Sequence, residues 1–179
     1  MAHREQMEFF LRVKEKFPER FKNCNVLDIG SLDINGNNHY LFENYKYIGV
    51  DVGEGRNVDV VSKGHEFKSD NEYDVVISSE CFEHDMFYHE TIKNCLKLTK
   101  SDGLFTFTCA SEGRAEHGTA RTLPDNAPLL MQFGEWGNYY KNLTENDIRE
   151  IINPDEIFSE YYFEYNPKSF DLYFWGIKK

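Results

Sequence analysis

Cysteine is sparse in this chain and never clustered. Cys24, Cys81, Cys95 and Cys109 lie far apart in apolar or helical contexts, with no CxxC and no nearby Cys/His group. That spacing argues against a disulfide framework or a zinc ribbon; buried free thiols in a reducing cytosol are expected, and no metal site. Long apolar runs are also missing. No stretch approaches the roughly 18 apolar residues of a membrane span, and Met1-Ala-His-Arg-Glu-Gln6 lacks the apolar core of a secretory signal. The expectation is a cytoplasmic protein without membrane contact. Basic charge is in deficit as well: 20 Lys and Arg stand against 31 Asp and Glu, and the cations are interspersed rather than gathered into a stripe. Binding along nucleic acid needs clustered cations to neutralise phosphates, so a small molecule is the expected partner. No Pro/Gly/Ser-rich linker divides the 179 residues, of which 40% are hydrophobic. One domain spanning 1–179 can bury its own core, as a monomer or a homodimer.

What is present is concentrated near the start. Asn25-Val-Leu-Asp-Ile-Gly30 is an apolar strand ending in an acid and a glycine, followed by Ser31-Leu-Asp-Ile-Asn-Gly36; Tyr47-Ile-Gly-Val-Asp51 is a second apolar strand closed by an acid. A glycine at such a strand end lets the backbone pass close to a ligand, and a carboxylate at the tip of the next strand can accept hydrogen bonds from both hydroxyls of a ribose. This is the pattern of a nucleotide pocket.

Val26-Leu-Asp-Ile-Gly30, Ile48-Gly-Val-Asp51, Tyr73-Asp-Val-Val-Ile-Ser-Ser-Glu80 and Glu83-His84 occur in the order found in class I S-adenosylmethionine (SAM) dependent methyltransferases, and the chain resembles the methyltransferase type 11 group over about residues 25–110. The resemblance implies an α/β fold: a Rossmann-like, doubly wound, mostly parallel sheet with an antiparallel C-terminal strand. It implies SAM as cofactor and S-adenosylhomocysteine as product. The backbone of Gly30 and Ser31 borders the methionine part, Asp28 helps hold its amino end, Asp51 takes the ribose diol and Val52 flanks adenine. Leu32 and Ile34 stand where the family usually carries its second and third glycines. Lys63 replaces an acid that contacts adenine, so that contact passes to the backbone near Gly64 and His65 or to Glu66. Ser79 and Glu80 close the fourth strand at the pocket's edge. Beside these roles stand structural ones: Asp28 organising a loop, Ser79 and Glu80 ending a strand or capping a helix.

Hydrophobic spacing sets the surrounding elements. Met7, Phe10, Val13 and Phe17 recur at helical intervals ahead of Pro18, predicting a helix within the first 22 residues; the resemblance implies that it lies over the cofactor, the alternative being that it simply packs on the sheet. A second helix is expected from residue 36 or 37 to 44, with Tyr40, Leu41 and Phe42 inward, and a third from a cap at Asp85 to Leu98. The connection from Asp51 to Val58-Asp-Val-Val61 is too short for a crossover helix. Thr144-Glu-Asn-Asp147 has capping-box spacing, and residues 158–165 and 172–178 form a hairpin.

Methyl transfer from a sulfonium is an in-line displacement, and an oxygen or nitrogen nucleophile can require a base. His84 and His117 are the candidates, each with a plainer alternative as a loop-orienting or exposed histidine. Residues 111–142 form a long polar segment with several aromatics. Loops of that length usually bind or cover something, so it is read as an acceptor-side lid, the alternative being a flap that packs on the core. Arg114 and Arg121 are expected to hold an anionic or hydroxylated acceptor, with Tyr139 and Tyr140 stacking on a ring or sugar face. Together these features point to methyl transfer to oxygen or nitrogen of a small molecule, a sugar or secondary metabolite. Two other classes stay open: a non-catalytic SAM-fold binding or regulatory protein, and an NAD-dependent oxidoreductase, which the lack of GxGxxG disfavours.

Overall fold

A computed structural model describes residues 3–179, whose architecture is built on one seven-stranded sheet. In chain order the elements are α1 (Arg4–Lys16), β1 (Asn25–Ile29), β2 (Lys46–Asp51), β3 (Val60–Val61), β4 (Tyr73–Ser79), α2 (Tyr88–Leu98), β5 (Thr99–Ala110), α3 (Glu145–Ile151), α4 (Pro154–Ile157), β6 (Phe158–Asn166) and β7 (Asp171–Lys178). The strand order is β3-β2-β1-β4-β5-β7-β6. The pairs from β3 to β5 are parallel, whereas β7 runs antiparallel to both β5 and β6. β7 enters the sheet as the expected hairpin partner of β6.

Successive side chains of a strand point to opposite faces, so the apolar strands feed two cores. Val26, Val75, Ile77, Tyr173 and Trp175 pack with Phe9, Phe10 and Val13 of α1. On the other face Leu27, Ile29, Val76, Phe105, Phe107 and Phe174 pack with Ile92 and Leu96 of α2 and Ile148 of α3. Both sheet faces are therefore covered, which is why β1 and β4 read as near-continuous apolar runs.

Three local expectations change. Helix α1 forms, but Met7 is 39% exposed, and Gln6 and Phe9 occupy its inward face. The helix expected over 36–44 is reduced to a 3-10 turn, His39–Leu41, with Tyr40 40% exposed while Leu41 and Phe42 are buried. The cause lies just upstream: Asp33 accepts from the Gly36 N–H at 2.8 Å and Asn37 accepts from the His39 N–H at 3.1 Å. Such short Asx bonds offer the backbone an alternative to helical pairing. Helix α2 starts three residues after Asp85, which braces it from outside by accepting from the Phe87 N–H at 2.8 Å and the Thr91 hydroxyl at 2.5 Å. The capping box of α3 is present as read, with Thr144 and Asp147 exchanging bonds.

Candidate active site

Three parallel strands end on one side of the sheet, and the carboxyl ends of β1, β2 and β4 line a cleft. It encloses about 950 Å³ of space between atoms, its open mouth included. Asp28, Gly30, Ser31, Asp51, Val52, Gly64, Ser79 and Glu80 all line it, so the pocket read from strand ends converges as expected.

Gly30 is required by its position. Its φ is +79°, and a Cβ there would lie 2.4 Å from the Cys81 sulfur. Only glycine takes this backbone turn without strain or collision. Asp28 is buried behind it, accepting from the Tyr47 hydroxyl at 2.5 Å and from the Asn38 amide at 3.4 Å through Oδ2. Its Oδ1 has no protein partner. Burial raises the Asp28 carboxyl to about 7, against the pull of its hydrogen bonds from Tyr47 and Asn38. Asp51 accepts from the Val52 N–H at 2.7 Å and from the Leu32 N–H at 3.0 Å. It therefore fixes the first loop while facing the cleft; burial raises its pKa, and those two N–H bonds oppose the rise.

Ser79 accepts from Asn38 at 2.9 Å and from Gln6 of α1 at 3.4 Å, tying the first helix to the pocket floor. Gln6 itself lines the cleft, so α1 both packs on the sheet and covers the site. Glu80 adopts a left-handed φ of +51° and lies buried beside His3. His3 Nε2 is 3.0 Å from Asp171 and 3.8 Å from Glu80. Burial opposes charge on both groups, but these partners hold His3 protonated up to about 10 and keep Glu80 below the usual carboxylate range.

Gly64 lines the cleft, whereas the His65 ring turns against Phe87, with centroids 4.3 Å apart. Glu66 is engaged by Lys63 at 3.2 Å on the exterior. Of Gly64, His65 and Glu66, Gly64 alone lines the cleft.

The two histidines meet. His84 lines the cleft, and its ring centroid lies 5.0 Å from that of His117, the planes nearly perpendicular. Tyr140 stands 5.5 Å from the first ring and 5.1 Å from the second. Burial, reinforced by His117, lowers His84 to about 3, and burial also lowers His117, so both imidazoles are neutral at physiological pH. Gly118 permits the approach, since a Cβ on it would fall 2.6 Å from His84 Cε1.

Other acceptor-side expectations place differently. Arg114 donates to the Ser169 carbonyl at 2.5 Å and lies 3.3 Å from Asp171, which ties it to the β6–β7 turn instead of the cleft. Arg121 pairs with Glu116 at 3.0 Å on the exterior. Tyr139 is outside the cleft lining, and Tyr140 contacts the histidine pair, donating its hydroxyl to the Ala115 carbonyl at 3.2 Å. From the long 111–142 segment, residues 126–130 and Trp136 line the cleft. The buried Trp136 indole donates to the His84 carbonyl at 2.7 Å. Gln6, Asn38 and Tyr47 went unnoticed in the sequence; a glutamine on the apolar face of a helix was the one available signal.

A seven-stranded mixed sheet with β7 antiparallel and a ligand cleft at the carboxyl strand ends is the architecture of class I methyltransferases. A family model described as a methyltransferase domain matches residues 1–148, and the chain belongs to that family of SAM-dependent enzymes. No match was found among curated proteins. Among solved structures, the chain is similar to the 1,6-didemethyltoxoflavin-N1-methyltransferase of Burkholderia thailandensis, which holds its substrate and S-adenosylhomocysteine. The TM-score is 0.60 at 14% identity, covering 100% of this chain and 92% of that one. The magnesium protoporphyrin IX methyltransferase of Synechocystis aligns at TM-score 0.61 and 13% identity, over 96% and 83% of the two chains. A phosphoethanolamine N-methyltransferase of Haemonchus contortus aligns at 0.63 and 14%, over 96% of this chain but 52% of its own. At these identities the likeness is one of fold.

Proposed function

We propose that this methyltransferase acts on an oxygen or nitrogen of a small molecule, of the sugar or secondary-metabolite class, as a single cytoplasmic domain, monomeric or homodimeric, with residues 111–142 as an acceptor-side lid. The carrying observation is that one cleft joins the unpartnered Oδ1 of Asp28 and the strand-end Asp51 to His84, beneath that lid. The small-molecule acceptors of the Burkholderia and Haemonchus proteins support the substrate class. The four free cysteines, three of them buried, support a reducing compartment.

Bound SAM supplies a methyl group on a sulfonium, an electrophile with a neutral thioether leaving group. Asp28 would accept from the cofactor's ammonium and Asp51 from its ribose hydroxyls, with the Gly30 and Ser31 backbone alongside. Trp136 and residues 126–130 exclude water from the cleft. At the acceptor end an imidazole nitrogen of neutral His84 or His117 would take the proton that the nucleophile loses.

Calorimetric titration with SAM and with S-adenosylhomocysteine, repeated on Asp51→Ala, tests the cofactor pocket. Micromolar binding that collapses in the variant is expected; no heat with either ligand would overturn the assignment. An acceptor screen read as S-adenosylhomocysteine release, with His117→Ala alongside, tests the chemistry. SAM binding without turnover on any acceptor would instead favour a regulatory protein, which the replacement of loop glycines by Leu32 and Ile34 makes the specific alternative.

A further inference from the structure

Beneath the histidine pair lies a carboxylate that nothing yet described uses. Glu83 is fully buried, and neither of its side-chain oxygens has a hydrogen-bond partner. His84 Nδ1 is likewise buried and unpartnered. A buried carboxylate without a donor is costly, and burial with Glu80 nearby raises the Glu83 carboxyl to about 8, so it holds either a proton or a cation.

Glu83, His84 and His117 each present a ligand atom, and these atoms lie within 4.8 Å of one another. His84 Nε2 stands 3.9 Å from Glu83 Oε1. Two ligands about 2.1 Å from one tetrahedral ion lie about 3.4 Å apart, so the set must draw in by about 1.4 Å or less to hold one ion. The surroundings orient it. His117 directs Nδ1 at the Ala115 carbonyl, 3.0 Å away, which leaves Nε2 as the lone-pair nitrogen, the arrangement typical of metal-bound imidazole. The Glu83 carbonyl accepts from the Lys141 N–H at 2.9 Å and the His84 carbonyl from the Trp136 indole, so bonds to their own carbonyls hold both ligand residues.

We propose that Glu83, His84 and His117 form a two-histidine, one-carboxylate site for a divalent transition-metal ion at the acceptor end of the cleft. The donor set suits zinc, manganese, iron or cobalt and leaves coordination positions open. Resting on the methyltransferase reading for the place of the acceptor, the inference adds that an acceptor oxygen binds the ion on the side where His84 forms the cleft wall. Coordination lowers the pKa of that hydroxyl, its proton passes to solvent at the open mouth of the cleft, and the oxygen attacks the methyl carbon as the carbon–sulfur bond breaks to leave neutral S-adenosylhomocysteine; the two imidazoles then serve as ligands rather than bases.

The test uses chelator-treated, dialysed full-length protein titrated with cobalt(II), followed by visible absorbance and calorimetry, on wild type, His117→Ala and Glu83→Gln. One ion per chain with a d–d band is expected, and at least a tenfold loss of affinity in each variant. Each variant's circular dichroism and S-adenosylhomocysteine titration are measured in parallel. Absence of cobalt binding in wild type, or affinity unchanged in both variants, would overturn the metal site. Because the S-adenosylhomocysteine titration reads the cofactor pocket separately, failure of the site and failure of the methyltransferase reading give different results.

Discussion

The Tyr47 hydroxyl donates to Asp28 Oδ2 across a 2.5 Å hydrogen bond, joining the second strand to the acid that closes the first. The bond leaves Asp28 Oδ1 free for a ligand and helps keep the carboxylate in place under burial that favours its neutral form. Tyr47→Phe removes the donor without changing the ring. SAM affinity is expected to fall about tenfold, the effect of one hydrogen bond to a charged group, as calorimetry at neutral pH would read.

The same carboxyl gives the fold a pH signature. Its folded pKa of about 7 lies above the ordinary value of 3.8, so the native state binds a proton that the unfolded chain has lost. This contribution is fully present below about 4 and is lost as pH rises through about 7. Relative to wild type, Asp28→Asn is expected to gain thermal stability between pH 4 and 7.5, as paired melting curves would show. Parallel curves would remove Asp28 as the source.

Gly30→Ala places a methyl group against Cys81 in a left-handed backbone. A loss of about 2–3 kcal/mol in denaturant unfolding is expected, in the upper part of the usual range for single substitutions. Cofactor affinity falls with it, because the strand end and loop shift together.

Trp136→Phe keeps an aromatic ring in the lid but removes its bond to the His84 carbonyl. Leaving that buried acceptor unpaired costs about 1–3 kcal/mol. The lid loosens, so the acceptor KM is expected to rise while the Kd for S-adenosylhomocysteine changes little.

Phe107 is fully buried between Phe82, Phe105 and Phe174. Phe107→Ala is expected to cost about 3–5 kcal/mol in chemical denaturation, by lost burial and the cavity left behind.

The pocket acids were legible because a strand's apolar run announces its own end: Asp28, Gly30 and Asp51 each sit where such a run stops. The hairpin was likewise marked by two aromatic stretches around Asn166-Pro-Lys-Ser169. Partnerships between distant segments were not legible. Nothing in a linear reading pairs His84 with His117, or Asn38 with Ser79, and Arg114 looked available until the β6–β7 turn supplied its carbonyl and carboxylate. The helix expected over 36–44 failed for a local reason. Asp33 stood in the loop and Asn37 at the expected helix start, while their capacity to capture the Gly36 and His39 N–H groups was overlooked.

Among the described residues, the cleft is lined by Asp28, Asp51, Glu80 and Asp85 and by neither lysine nor arginine. Its field therefore favours whichever ligand carries the extra positive charge. Methyl transfer converts a sulfonium into a neutral thioether, so turnover itself weakens the electrostatic hold on the spent cofactor. With a sulfonium donor in this cleft, the acidic wall would bias exchange toward the next donor.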